Sequence, residues 1–204
     1  MTAGWAYYLA KRALDVLLSA AALIVLSPLL ALIALSVWID DPGAPILFRQ
    51  RRCGHGGRSF ELLKFRTMVK HAEALKESLR GRSEVDWPDF RVSNDPRVTR
   101  LGRFLRRSSL DELPQLVNVL RGEMTLVGPR PTSFGVSTYA LWQTGRLDFR
   151  PGVTGPWQVR GRDCMDFTER CRLEISFFRR HSLVRELWLL VLTVGCVVKR
   201  TGTA

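Results

Sequence analysis

Two adjacent carboxylates, Asp111 and Glu112, lie in the string Ser108-Ser109-Leu110-Asp111-Glu112-Leu113-Pro114-Gln115, with Arg103, Arg106 and Arg107 about one helical turn upstream. Together, these side chains suit phosphate chemistry. A carboxylate can attack phosphorus as a nucleophile and form an acyl phosphate. A second carboxylate can hold Mg²⁺, which takes few protein ligands and completes its shell with phosphate oxygens and water. Guanidinium groups clamp the remaining oxygens with paired hydrogen bonds. A plainer reading uses the same residues: acids in a first helical turn complement the dipole, and Ser109-x-x-Glu112 matches a capping box. Spacing alone leaves both readings open.

The elements around the pair set its context. At 204 residues the chain fits one domain with its own core. Lys and Arg total 31 against 19 acids, a net charge of +12 that favours an anionic partner: nucleic acid, an anionic membrane surface or a phosphorylated substrate. Cys53, Cys164, Cys171 and Cys196 form no C-x-x-C pair and read as reduced thiols without a structural metal. His55, His71 and His181 stand in polar contexts and read as surface residues. Trp87, Trp142 and Trp157 read as packing residues.

Residues 16–39 carry no charge and are long enough, at about 1.5 Å per residue, to cross a bilayer as one helix. Pro28 interrupts the run, and basic residues flank both ends: Lys11-Arg12 before it, Arg49, Arg51, Arg52, Arg58, Lys64, Arg66 and Lys70 after it. The positive-inside tendency puts both flanks in the cytoplasm. A helix that breaks at Ser27-Pro28 and returns satisfies both facts, with the Ser27 hydroxyl on a backbone carbonyl of the broken turn. A kinked span and a buried core helix are the alternatives. A second apolar stretch, 187–198, is too short to cross and reads as an interfacial or core-packing helix with Trp188 at headgroup level.

Between these ends, 46–50 and 60–65 read as strands of a hairpin joined by a glycine-rich turn. Residues 73–79 read as a short helix and 83–96 as an irregular loop. A helix with its cap at Ser109 and Pro114 in its first turn stops at Gly122. Stiff loops, 127–131 and 150–156, present arginine, and 167–180 is helical.

Lys11-Arg12-x-x-Asp15, Ser27-Pro28, Phe48-Arg49-Gln50-x-Arg52, Lys64-Phe65-Arg66-Thr67-Met68, Asp95-Pro96-Arg97-Val98-Thr99, the 109–115 string, Asn118-Val119-Leu120, 127–131, 150–155 and Gly161-Arg162 follow one another along the chain. In that order they resemble the bacterial sugar transferase family, the small monotopic phosphoglycosyl transferases. The resemblance implies an α/β (α+β) fold: a mainly helical cytosolic domain (40–204) with a short β-hairpin, an N-terminal re-entrant membrane helix (1–39) and interfacial amphipathic helices. It implies transfer of a sugar 1-phosphate from a UDP-sugar to polyprenyl phosphate through a covalent aspartyl intermediate, with release of UMP, at the cytoplasmic face of the bacterial inner membrane. Asp111 is then the nucleophile and Glu112 the Mg²⁺ ligand. Lys64, Arg106, Arg130 and Glu174 are expected to serve substrate and phosphate. Nucleic acid is not an expected partner, and the oligomeric state stays open, a homodimer included.

Glu174 stands where the family often has Asp, Phe177-Phe178 where Tyr-Tyr is common, and Arg160 where Asn is common. Arg160 adds a cation that bears on substrate choice. The competing class is a membrane-anchored polybasic scaffold or anionic-lipid-binding module without catalysis.

Overall fold

The computed structural model describes residues 4–75, 77–83, 92, 94–160 and 165–199. Helix α1 (Trp5–Val25) runs into α2 (Ser27–Asp40) with a bend of 64° between them. Pro28 lacks the N–H that would reach back to Ile24, and the Ser27 hydroxyl donates to that carbonyl instead, at 2.8 Å. The broken turn therefore keeps its acceptor satisfied, as the sequence implies. No single described helix is long and apolar enough to cross a membrane; α1 and α2 together pass that test by length and composition.

Strands β1 (Leu47–Cys53) and β2 (Ser59–Phe65) form an antiparallel hairpin in which Leu47 pairs Phe65 and Cys53 pairs Ser59. The turn carries Gly56 and Gly57 at positive φ, which suits glycine. Beyond it, 73–79 departs from expectation: residues up to 75 form turns, and a 3₁₀ helix spans Glu77–Arg82. The expected loop over 83–96 falls largely outside the described residues.

Helix α3 (Arg100–Arg107) has no counterpart in the reading of the sequence. Thr99 caps it by accepting from the Gly102 amide at 2.9 Å. A Cβ on Gly102 would stand 2.1 Å from the Thr67 carbonyl oxygen, so only glycine lets α3 lie on the end of β2. Helix α4 (Gln115–Arg121) ends at Gly122 with φ +81°, the left-handed cap foreseen for it.

The two Gly/Pro strings are more than stiff loops. A short strand, β3 (Thr125–Val127), runs into the first, another, β4 (Gly152–Thr154), lies within the second, and the pair is parallel. A Cβ on Gly128 would lie 2.2 Å from the Arg150 carbonyl oxygen, and one on Gly152 would lie 2.0 Å from the Gly128 nitrogen. Helices α5 (Pro156–Arg160), α6 (Phe167–Phe178) and α7 (Leu183–Lys199) follow, the last two where the apolar patterns put them.

Two apolar clusters hold the elements together. One joins Leu62, Leu116, Val119, Met124, Val127, Phe178 and Leu189; the other joins Ile33 and Val37 of α2 to Phe65 and Leu105. Polar anchors bind α1 to the rest. Arg12 donates to the carbonyls of Val119 and Leu120 at the end of α4, at 2.6 and 2.8 Å, where the helix dipole favours a cation. Asp15, buried, accepts from the Thr125 hydroxyl and the Leu126 amide of β3. Lys11 and Tyr7 both bond Glu186 of α7.

Gly128→Ala should therefore destabilise the protein by about 1–3 kcal/mol or more through forced backbone displacement. Gly135→Ala, with only a side-chain atom at 3.8 Å from the new methyl, serves as control. Chemical denaturation of both variants in detergent checks this, and equal midpoints would contradict it.

Candidate active site

The acidic pair does not sit in a capped α-helix. Ser109 lies in the left-handed region at φ +55° and makes no side-chain cap bond, and Leu110–Glu112 is a single 3₁₀ turn. The foreseen capping box is absent because Glu112 turns away from the backbone toward two cations. Its Oε1 accepts from Lys64 Nζ at 2.9 Å and from Arg130 at 2.7 Å, and its Oε2 lies 3.4 Å from the second Arg130 nitrogen. Two charge-assisted bonds outweigh one cap. The cost is an unusual backbone conformation for serine immediately before the pair, of the kind that collects at functional sites.

β2 supplies Lys64, and the segment after β3 supplies Arg130. Arg106 comes from the inner face of α3, where its Nε donates to the Thr67 hydroxyl at 2.9 Å. Arg103 and Arg107 are exposed on the same helix. Asp111 is buried, at 6 % exposure, and has no hydrogen-bond partner among the described residues.

The electrostatics separate the two carboxylates. Burial pushes the Asp111 carboxyl above its ordinary value and the charge of Glu112 adds to this, against the pull of Lys64, Arg106 and Arg130. Burial acts on Glu112 in the same direction, but Arg130 and Lys64 outweigh it and hold that carboxyl well below the usual range. Desolvation lowers Lys64, with Glu112 opposing. Glu112 thus stays a fixed anion while Asp111 is the more basic of the two, which is the better nucleophile.

Behind Arg130 stands Glu174, only 1 % exposed. It accepts from the Arg130 amide at 3.0 Å and from Arg146 at 2.7 and 3.0 Å, and Arg146 in turn donates to the Arg130 carbonyl at 2.6 Å. Both backbone groups of Arg130 are therefore held. The Arg130 guanidinium also lies 6.0 Å from the centre of the Trp157 ring.

The bacterial sugar transferase family model matches residues 6–200. The chain belongs to that family. It is 40% identical over 200 residues to the exopolysaccharide production protein ExoY of Rhizobium meliloti, covering 96% of this chain and 88% of that protein. It is 42% identical over 202 residues to the UDP-galactose-lipid carrier transferase of Erwinia amylovora, covering 94% of this chain and 41% of that one. With the UDP-glucose:undecaprenyl-phosphate glucose-1-phosphate transferase of Caulobacter vibrioides it shares 42% over 197 residues, 91% of this chain and 68% of the other. The chain spans about two-fifths of the length of several curated relatives it matches.

In this bacterial sugar transferase, then, the fold gathers Asp111, Glu112, Lys64, Arg106 and Arg130 at one place. Glu174, expected to serve substrate, is sealed behind the Arg130 loop with both oxygens engaged, where it supports Arg130. The motif Gly161-Arg162 lies outside the described residues. Arg146 was not anticipated, since nothing in its local string separates it from other arginines. For a metal, the donor set suits an ion that takes one or two carboxylates and finishes its shell with phosphate and water. Asp111 and Glu112 adjoin, and among the described residues no three His, Cys, Asp or Glu side chains gather into a cage.

Arg146→Met should leave Glu174 as an unpaired buried charge and cost about 3–5 kcal/mol. Urea unfolding in detergent reads this; a loss below about 1 kcal/mol would remove the clamp from the account of Arg130.

Proposed function

We propose that the chain transfers a sugar 1-phosphate from a UDP-sugar to a polyprenyl phosphate, by way of a phosphosugar carried on Asp111. The observation that carries this reading is a buried carboxylate, without a hydrogen bond among the described residues, in the field of Lys64, Arg106 and Arg130, the first and last of which are also paired with Glu112. The printed names of the Erwinia and Caulobacter relatives support the donor and acceptor classes.

In the first step an Asp111 oxygen attacks the phosphorus that bears the sugar. The bond from that phosphorus to the bridging oxygen breaks, and UMP leaves with both electrons. In the second step a phosphate oxygen of the lipid attacks the same phosphorus, the acyl–phosphate bond breaks, and Asp111 returns as carboxylate. Lys64, Arg106 and Arg130 offset the charge of the phosphate oxygens, which otherwise repel an incoming carboxylate. Glu112 fixes Lys64 and Arg130 and is the residue that would hold Mg²⁺, which supplies further neutralisation of the diphosphate when bound.

On this reading 1–39 is a re-entrant membrane segment built on the bent α1–α2 pair, and 40–204 forms the catalytic part on the cytoplasmic face of the inner membrane. Ile24, Val25, Leu32, Leu35, Trp38 and Ile39 are exposed on that pair. They give it an apolar surface to set in lipid. The acceptor's phosphate lies at headgroup depth, so a nucleophile at the same depth meets it without extracting the chain.

The test is UMP release by the protein in detergent with Mg²⁺, undecaprenyl phosphate and a panel of UDP-sugars. Asp111→Asn should reduce release by roughly three orders of magnitude or more while membrane association persists. Full release by the variant would refute the covalent route, and silence of the unaltered protein across the panel would favour a non-catalytic scaffold.

The pH dependence gives a second check. Asp111 must be ionised to attack, and its pKa is raised above 3.8. Activity should fall as pH drops through that raised value, in a range where Glu112, held well below 4.5, remains charged. Lys64→Met removes a cation that lowers the Asp111 pKa, so the acid limb of kcat/KM should move further up. A shift downward would oppose the assignment.

A further inference from the structure

Helices α5, α6 and α7 enclose a groove of about 570 Å³. Its walls include Leu173 and Phe177 of α6 and Trp188 and Leu192 of α7, and Arg180 and Arg185 line it as well. Both arginines are exposed, and neither has an acidic partner among the described residues. The Arg185 guanidinium lies 5.6 Å from the centre of the Phe177 ring, which places a cation directly over an apolar wall.

Position along α6 separates this groove from the catalytic cluster. Leu173, Ser176 and Phe177 share one face of α6, Arg180 follows just past its end, and all four line the groove. Cys171, Glu174, Ile175 and Phe178 follow the i, i+3, i+4, i+7 spacing on the opposite face and are buried. Glu174 is the residue that holds Arg130. The groove therefore lies on the far side of α6 from Glu174, which holds the Arg130 peptide.

An apolar trough of ligand-pocket size with two unpaired guanidinium groups fits an amphiphile with one chain and an anionic head. Trp188, 62 % exposed, is of the type that sits at the membrane–water boundary. We propose that this groove seats one anionic membrane phospholipid, an acyl chain against Phe177 and Trp188 and its phosphodiester on Arg180 and Arg185, distinct from the polyprenyl acceptor. The inference rests on the membrane placement given above, not on the transfer chemistry.

The test uses the full chain in phosphatidylcholine nanodiscs into which phosphatidylglycerol brominated on its acyl chains is titrated. Trp188 fluorescence is taken as the difference from Trp188→Phe. Quenching should saturate at a low mole fraction of phosphatidylglycerol. The double variant Arg180→Gln/Arg185→Gln should need roughly 30-fold more lipid, each arginine contributing a factor of about five, with UMP release in phosphatidylcholine alone unchanged. Equal, unsaturable quenching by brominated phosphatidylcholine would overturn the proposal in favour of bulk bilayer contact. Displacement by undecaprenyl phosphate would reassign the groove to the acceptor, and loss of quenching at two chains per disc would reassign it to a second copy. Saturable quenching without UMP release on any donor would uphold the groove and overturn the transferase reading alone.

Discussion

The Glu112 carboxylate is shared between Lys64 of β2 and Arg130 beyond β3, and the arrangement of the site hangs on that shared anion. All three groups are taken substantially out of water, which costs several kcal/mol per ion before any attraction is counted. Only close pairing offsets that cost. The hairpin, the 3₁₀ turn and the segment after β3 must therefore meet at one point, and a displacement of any of them leaves a charge unpaired. Asp111 benefits indirectly: because its neighbour occupies the cations' nearest donors, Asp111 lies in their field without being tied to any of them. A bonded carboxylate would be a poor nucleophile, and a carboxylate far from cations would repel phosphate. The sharing of Glu112 produces the middle condition.

The same short stretch of backbone that delivers Arg130 also receives the N-terminal helix. Asp15 grips Thr125 and Leu126, and Lys11 reaches the Val127 carbonyl at 3.1 Å. Arg130 follows three residues later, at most about 10 Å along an extended chain. The direction in which α1 leaves the body of the protein and the placement of the site arginine are thus set by one strand. Its parallel partner β4 lies so close that neither Gly128 nor Gly152 has room for a side chain. Glu174 and Arg146 then fix the Arg130 peptide from behind.

What could be read from the sequence was what is local in space. The Ser27-Pro28 break, the hairpin, Gly122 and the helices α6 and α7 follow from residue types a few positions apart. The capping box failed for the converse reason: Ser109-x-x-Glu112 is a local signal, and ion pairs to residues 48 and 18 positions away overrode it. β3 and β4 were hidden because three-residue strands among Gly and Pro carry almost no periodicity, and their pairing is non-local. Helix α3 was hidden by its four arginines and a glycine, although Thr99 was an available cap. Spacing alone left the chemistry of Asp111 and Glu112 undecided; the order of many motifs brought in Lys64, Arg106 and Arg130. Arg146 and the supporting place of Glu174 needed coordinates, because a buried ion pair looks like any two charges in a basic chain.

The charge count also bears on why the proposed two-step route suits this site. Three cations face two carboxylates, an excess that one phosphoryl group can use. Donor diphosphate and lipid phosphate together would bring far more negative charge into a buried space than those cations offset, even with a divalent ion present. On the proposed route a covalent phosphosugar removes the conflict. UMP would depart with its charge before the lipid phosphate must approach, and the acyl phosphate would hold the transferred group in the interval. The same route would let a water-soluble donor and a membrane-bound acceptor use the same cations in turn. The requirement falls on Asp111, which must be basic enough to displace UMP yet leave readily when the lipid phosphate attacks. A carboxylate raised by burial and restrained by Lys64, Arg106 and Arg130 lies between those two demands.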